Sequence, residues 1–505
     1  MKKTLIAVGV IIVLGAAWTA SAWYTGKQFE QRLPTVVADA NARIKAAFPE
    51  AGVNLVIEDY QRRLFSSHVN LVLVSDGTTG ENKPLKPGDR LVVNEAIDHG
   101  PFPFAELKKG VLIPSMASVR SQLAATPLVK PLLDASKGQS PVTALTRVAY
   151  NGDTVSVIDV MALDFNSPAT VFRTSGGTFN AAIDHDMDKM SVDGSIASLL
   201  IGGLNQWQQH EQVTVQEFSL DSSTHKGKLD YSVGDNTMKA KTLVYNVDGK
   251  DMLSVDNLSQ VTSVNEEADK LNAQVAYNLD ALHVQGQNFG AGKLVIKLSN
   301  LDPKAIADFS EKYHAQAQQI MQQTGQADPA TQQQLISQAL FQNLPLALKG
   351  SPYLTIAPFS WKNSKGESAF NLTLNLNDPS QAPTTPATPD QLWARFVNKL
   401  DAKLTVPLDM ATETTTQFAR LQGYNDEDAQ KLAKQQVQGL AAMGQMFKLT
   451  TVSDNTLTSS FQYADNQVNL NGQKMSLQSF MGLFGLFGLP EGETPPVQPQ
   501  AIPQP

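Results

Sequence analysis

The chain of 505 residues contains no cysteine, which excludes disulfides, thiolate nucleophiles, zinc-thiolate centres and iron-sulfur clusters together. Charge is also scarce. Charged residues make up 17% of the chain, 40 Lys+Arg against 48 Asp+Glu for a net charge of −8, and no sustained basic run occurs. A nucleic-acid partner, which needs clustered Lys and Arg against phosphates, is therefore not expected. Histidine is limited to His68, His99, His185, His210, His225, His283 and His314, and no two stand at HExxH or HxxxH spacing, so nothing supports a helix-borne zinc site. Glycine-rich phosphate loops of Walker or Rossmann type and the Gly-x-Ser-x-Gly elbow are missing too. Asp184-His185-Asp186-Met187-Asp188 alternates carboxylates but fails as an EF-hand, with Lys189 at the sixth position and Ser195 at the twelfth, and reads as a hairpin end. No cofactor or metal is expected.

The 42% hydrophobic content can build a sizeable core, and the length allows about three domains at roughly 150 residues each. Lys2 and Lys3 precede an uncharged stretch, Leu5 to Tyr24, which as a helix would span about 30 Å, the thickness of bilayer hydrocarbon. A retained signal anchor competes with cleavage at Ala20-Ser21-Ala22. Retention is favoured, because Trp18, Trp23 and Tyr24 sit where an interfacial aromatic belt would and crowd a site that wants small side chains. Residues 27–48 continue as a helix, with Pro34 as a possible break point, suited to packing on its own domain or to a stalk.

From Val53 the apolar period becomes two. Strands are expected at Val53–Ile57, His68–Val74, Leu91–Asn94, Thr154–Val160, Val213–Leu220, Lys228–Val233, Lys241–Val247, Val275–Val284 and Lys293–Leu298. Asn151-Gly152, Gly176-Gly177, Gly234-Asp235-Asn236 and Asp248-Gly249 supply turn chemistry, so the strands should join as antiparallel sheet. Leu107 to Lys137 reads as a helical insertion. Later, Asp302-Pro303 marks a helix start, Lys403–Leu408 a strand leading into a helix ending near Leu421, and Asn425 with Asp428 an N-cap. Residues 377–390 read as a linker, Phe480–Phe487 as an apolar run packed on its own core, and Pro490–Pro505 as a tail without order. The expected fold is α+β: one N-terminal transmembrane helix, then a large, mostly antiparallel curved sheet with helices packed on one face. Its regions are 1–26 (anchor), 27–300 (β-rich, with the helical insertion near 105–137), 301–478 (strand-helix units) and 479–505 (apolar segment and tail).

Asp98-His99-Gly100-Pro101-Phe102-Pro103-Phe104 is the most distinctive short segment. Neighbouring residues in a strand face opposite ways, so Asp98 cannot readily orient His99 for acid-base work, and Pro101 and Pro103 with Phe102 and Phe104 suggest a structural corner. This segment, with Ala22-Trp23-Tyr24-Thr25-Gly26, Leu64-Phe65-Ser66-Ser67, Leu112–Ser118, Thr355–Pro358, Ser360–Ser364 and Asn471–Leu477, resembles the YdgA family of bacterial envelope proteins from end to end. Arg63 stands where the family pattern has Gly. The resemblance implies an inner-membrane, single-pass, self-associating protein with its bulk in the periplasm, in a family without an assigned biochemical activity. The strand-helix units resemble, as a pattern, the AsmA-like envelope proteins whose long sheets carry lipid.

The expected function is non-enzymatic: membrane lipid contacted through the N-terminal helix, homodimer formation through sheet edges, and an envelope protein or lipid as ligand. A periplasmic hydrolase using His99 is the alternative. Fractionation followed by sequencing of the mature N-terminus should recover a membrane-bound chain that keeps Lys2 and Lys3. A soluble form beginning at Trp23 would refute the anchor.

Overall fold

The computed structural model describes residues 2–47, 51–77, 85–167, 170–205, 207–323, 329–381 and 389–482, with side chains of the first helix described from Trp18 onward. Helix α1 (Lys2–Ala47) runs 46 residues with Pro34 inside it and no break there. Among the described residues no helix is long and apolar enough to cross a membrane. Most of the Leu5–Tyr24 segment precedes the described side chains.

Alternating residues then give β1 (Val53–Arg62), β2 (Ser66–Ser75) and β3 (Arg90–His99), a one-turn helix α2 (Phe104–Leu107), and strand β4 (Ala117–Leu123). Helix α3 (Lys130–Ala135) precedes β5 (Val142–Val148), β6 (Thr154–Val160), β7 (Leu163–Asn166), β8 (Thr170–Thr174) and β9 (Gly177–Ile183). The stretch expected as a helical insertion thus holds two short helices around a strand. Prolines 114, 127 and 131 limit the helical pieces, while Ala117–Leu123 takes a strand's place between β3 and β5.

Six long strands follow: β10 (Lys189–Leu204), β11 (His210–Lys226), β12 (Ser232–Val247), β13 (Lys250–Glu267), β14 (Lys270–Val284) and β15 (Gln287–Leu301). The turn expected at Gly234-Asp235-Asn236 lies inside β12, and the Lys228–Val233 strand begins only at Ser232. Gly234 earns its place by close approach, since a Cβ there would stand 2.1 Å from the Ser223 carbonyl oxygen on β11.

The remaining elements are α4 (Pro303–Gln323), α5 (Pro329–Ala347), β16 (Tyr353–Asn363), β17 (Gly366–Leu376), α6 (Pro389–Phe396), β18 (Val397–Pro407), α7 (Leu408–Leu421), α8 (Asp426–Met446), β19 (Thr451–Ser453), β20 (Thr456–Ala464), β21 (Gln467–Leu470), β22 (Gln473–Ser476) and α9 (Leu477–Gly482). Asp302 Oδ1 accepts the Ala305 N–H at 2.9 Å and Asn425 Oδ1 that of Asp428 at 3.0 Å, the two N-caps expected. Residues 382–388 of the expected linker, and everything from Leu483 on, fall outside the described residues.

All 22 strands belong to one antiparallel sheet. Neighbours follow chain order from β1 to β6; β9 then joins β6 to the first half of β10, while β8, carrying β7, joins the second half. From β10 the order runs to β18, then β20, β21 and β22. The boundary set at residue 300 falls within this sheet, because β15 pairs with β16.

The period-two pattern has a reset that the sequence reading passed over. On β11 the apolar positions are odd at Val213 and Val215 and even at Phe218 and Leu220; on β13 they are odd at Leu253 and Val255 and even at Leu258. The change coincides with left-handed residues inside the strands, Glu217 (φ 49°) and Asn257 (φ 51°). A left-handed residue turns the pleat over and so restarts the alternation, while the pairing register runs on unshifted past both positions. A polar row crosses the sheet there, with Glu217 paired to Lys241 and Asn257 donating to Asp280 at 2.8 Å.

Helices cover the two ends of the sheet. Leu33 and Val37 of α1 pack on Val69, Ile97 and Ala117, and α7 lies across β15 to β18. At the β1 edge Asn41 acts as a substitute strand, donating to the Leu55 carbonyl and accepting the Leu55 N–H, both at 2.7 Å. Asn41→Ala removes both bonds and should lower the stability of the chain by about 1–3 kcal/mol, read as a reduced urea midpoint with unchanged slope.

Candidate functional site

Four of the segments quoted above meet at one place in the fold: residues 22–26, 64–67, 98–103 and 112–118. Strand β3 ends at His99, whose N–H donates to the Phe65 carbonyl at 2.8 Å, and the chain turns through a cis Gly100–Pro101 bond. Gly100 N–H donates to the Met116 carbonyl at 2.7 Å, and Ser115 N–H returns to that of Pro101 at 2.9 Å. The two strands' connections are so close here that a Cβ on Gly100 would lie 1.9 Å from the Ser115 carbonyl oxygen. Pro103 is fully buried, Phe102 half-buried, and Phe104 partly exposed, so the corner is anchored by a proline more than by the phenylalanines expected. Asp98 turns away from the imidazole and accepts the Ala105 N–H at 2.9 Å, fixing the start of α2.

His99 is 2% exposed and Ser67 0%. The ring Nδ1 lies 3.3 Å from the Leu64 carbonyl oxygen, which can only accept, so Nδ1 carries the proton. Nε2 then accepts from Ser67 Oγ at 2.8 Å, and Ser67 accepts from the Tyr60 hydroxyl at 3.2 Å. Burial holds the imidazole below its usual range and pushes the Tyr60 hydroxyl up. Two further carboxyl groups are buried on and beside β3, Glu106 accepting from Ser118 at 3.0 Å and Glu95, four residues before His99, from Ser121 at 2.6 Å, with burial raising Glu95. Ser115 Oγ is buried without a hydrogen-bond partner.

Helix α1 closes the site. Gly26 lies against the His99 ring, where a Cβ would stand 2.4 Å from Cε1, and Thr25, also buried, donates to the Ala22 carbonyl at 3.1 Å while lying 3.5 Å from that of Gly100. Trp18 packs on Phe65 and Phe104, with ring centroids 6.0 and 5.3 Å away. Trp23 is partly exposed under Lys27 and Arg62, whose cationic groups lie 5.6 and 5.9 Å from its ring centre, and Tyr24 accepts from Gln28 at 3.2 Å. Of the three residues assigned to a membrane edge, Trp18 therefore contacts the corner.

Chemically the Ser67–His99 pair has the spacing of a nucleophile and its base. What it lacks is a carboxylate on Nδ1 and an opening, since Gly26 covers the ring. Sequence reasoning found His99 and the prolines but missed Gly26, Thr25, Ser67 and Tyr60. Thr25, Gly26 and Ser67 lay within the quoted segments, and only the tertiary contact gives them a role. The Arg63 position closes the β1–β2 connection, its N–H donating to the Ser66 carbonyl at 2.7 Å.

The depressed imidazole fixes the sign of a pH effect. The unfolded chain takes up a proton that the folded corner resists, so stability at this group is complete above about pH 6.5 and falls as the pH drops below it. Glu95 acts in the opposite sense, but equally in wild type and variant. His99→Gln should cost about 1–3 kcal/mol near neutral pH and flatten the loss of stability toward pH 5. Parallel stability curves for the two proteins would remove His99 as the titrating group.

The model of a family described as bacterial protein of unknown function (DUF945) matches residues 1–478. Protein YdgA of Escherichia coli (strain K12) is 43% identical over 507 aligned residues, covering the whole of both chains. The uncharacterized protein YihF of the same organism is 28% identical over 95% of this chain and 98% of its own, and an uncharacterized protein of Haemophilus influenzae is 21% identical over 61% and 85%. No solved structure matches. With a full-length relative at this identity and a family model spanning nearly all of the sequence, the chain belongs to the YdgA (DUF945) family of bacterial proteins of unknown function.

Proposed function

We propose that the chain is a non-enzymatic, inner-membrane-anchored periplasmic protein that holds the acyl part of a lipid along its central sheet. One observation carries this reading: an unbroken line of directly paired apolar residues crosses seven strands. Phe165 faces Phe172, then Ile201, Val213, Tyr245, Leu253 and Val284, each the cross-strand partner of the one before. Directly opposed residues share a face. A second line, Leu199, Val215, Leu243, Val255 and Leu282, runs beside it.

At about 4.8 Å per strand, six spacings make the strip about 29 Å long, while one leaflet is half of the ~30 Å bilayer hydrocarbon, so an acyl chain fits lengthwise. No described helix makes more than marginal contact with β10 to β14, and Ile201 and Val213 remain 51% and 37% exposed. An apolar strip of this extent on a protein surface calls for an occupant. The anchor rests on Lys2, Lys3 and the uncharged segment after them, which would keep the sheet beside a source of lipid.

The homodimer expected from bare sheet edges has less support. Asn41 occupies the β1 edge, and β7 and β22 are four residues long. A hydrolase at His99 would need α1 to leave the corner.

The full chain, extracted in mild detergent and sprayed intact into a mass spectrometer, should carry phospholipid. Ile201→Asp, at an exposed position where folding tolerates the change, should lose most of it. Wild-type protein free of lipid, or equal loading of the variant, would overturn the proposal.

A further inference from the structure

The apolar lines stop at β14, and a polar pocket lies one strand beyond. Leu282, the end of the second line, is directly paired with Gly290 on β15. Gly290 stands in the wall of a pocket of about 440 Å³, within the ~300–1,000 Å³ usual for small-molecule sites. Asp280 of β14, Asn288 of β15, Lys362 and Asn363 of β16 and Gln417 of α7 also line it. Gly290 has a φ of 99°, and a Cβ there would stand 2.0 Å from the Lys362 carbonyl oxygen, so this part of the wall is bare backbone. Lys362 and Asn363 belong to the Ser360–Ser364 segment, which the His99 corner leaves without a role. Asn363 ties strand to helix, donating to the Met410 carbonyl at 2.9 Å and to Thr414 at 3.1 Å.

One wall residue carries an acceptor that nothing meets. Gln417 is 7% exposed, and its Nε2 donates to Glu413 at 3.1 Å. A carboxylate only accepts, so the amide cannot be reversed and Oε1 is left on the other side. That oxygen is buried and has no hydrogen-bond partner among the described residues. A buried acceptor is costly until a donor reaches it, so a fitting occupant brings an N–H or O–H. The charged residues lining the pocket, among those described, are Asp280 and Lys362, one of each sign. A zwitterion matches that balance, and a primary ammonium supplies the donor.

We propose that the pocket receives the head group of the lipid, a phosphate ester of a primary amine, with its ammonium at Gln417 and Asp280 and its phosphate toward Lys362. The inference rests on the reading of the strip as an acyl site. Gly290 is about 4.8 Å from Leu282 across the ladder, so head group and acyl chain can be held at once. A quaternary ammonium head group has the same charge and no N–H, leaves Oε1 unmet, and is selected against.

The full chain, offered equal amounts of phosphatidylethanolamine and phosphatidylcholine with identical acyl chains, should retain the first severalfold over the second by intact mass spectrometry. Gln417→Met, close in shape but without the acceptor, should bring the ratio near one. Asp280→Asn, at an exposed position where folding tolerates the change, should lower it. Separately, soluble glycerophosphoethanolamine, which has no acyl chain, should give a saturation-transfer NMR signal that Gln417→Met loses and that glycerophosphocholine does not give. Lipid retained without head-group preference, or equal signals from the two soluble esters, would overturn the pocket and leave the strip. A soluble ester bound by a chain that retains no phospholipid would keep the pocket and overturn the acyl reading. Silence in both experiments overturns both.

Discussion

Backbone pairing is the constraint on which the rest of the structure depends. Among the described residues, a sheet of 22 strands with no pairing between its ends must satisfy or shield every outer N–H and C=O group. The chain does this with little material. Asn41 lends its side-chain amide to β1 as a one-residue strand, β7 and β22 are too short to recruit a partner strand, and Asn300 donates to the Gly350 and Ser351 carbonyls where β15 passes to the helices. Open sheets of this width bend or split, and the left-handed residues Glu217 and Asn257 interrupt the pleat of the long strands.

Among the described residues helices cover only the ends of that sheet, so the faces between them must be tolerated by composition. The polar row of Glu217, Lys241, Asn257 and Asp280 divides the long strands into two halves, and below it the apolar lines form. An isolated soluble sheet would place Thr or Lys at such positions. Here Ile201, Val213 and Leu253 stand in direct register, which is costly for a surface that is never covered.

Local signals were legible where local chemistry decides the outcome. Asp302 before Pro303 and Asn425 before Asp428 specify helix starts through their own hydrogen bonds, and Asp248-Gly249 makes its turn with two positive φ values. Partners distant in sequence override such signals elsewhere. Gly234-Asp235-Asn236 has turn composition, yet β11 and β13 flank it and hold it extended; Ala117–Leu123 lies among helix-compatible neighbours, yet β3 and β5 draw it into the sheet. The corner was half legible for the same reason. Prolines announce an extended path, but the contact between Gly26 and His99 joins residues 73 positions apart, and no period or motif encodes it.

That contact also determines what α1 can do. A helix of 46 residues is about 69 Å long, and its middle is held over about two turns by Trp18, Thr25 and Gly26. Leu33, Val37 and Asn41 fix the next two turns, so the helix direction relative to the sheet is set from Trp18 to Asn41. With the first half of α1 in a bilayer as proposed, the docked corner would leave no flexible joint between membrane and sheet. The apolar lines would then keep one orientation to the bilayer surface, a geometry suited to receiving a lipid from it and unsuited to a domain that searches at the end of a loose tether.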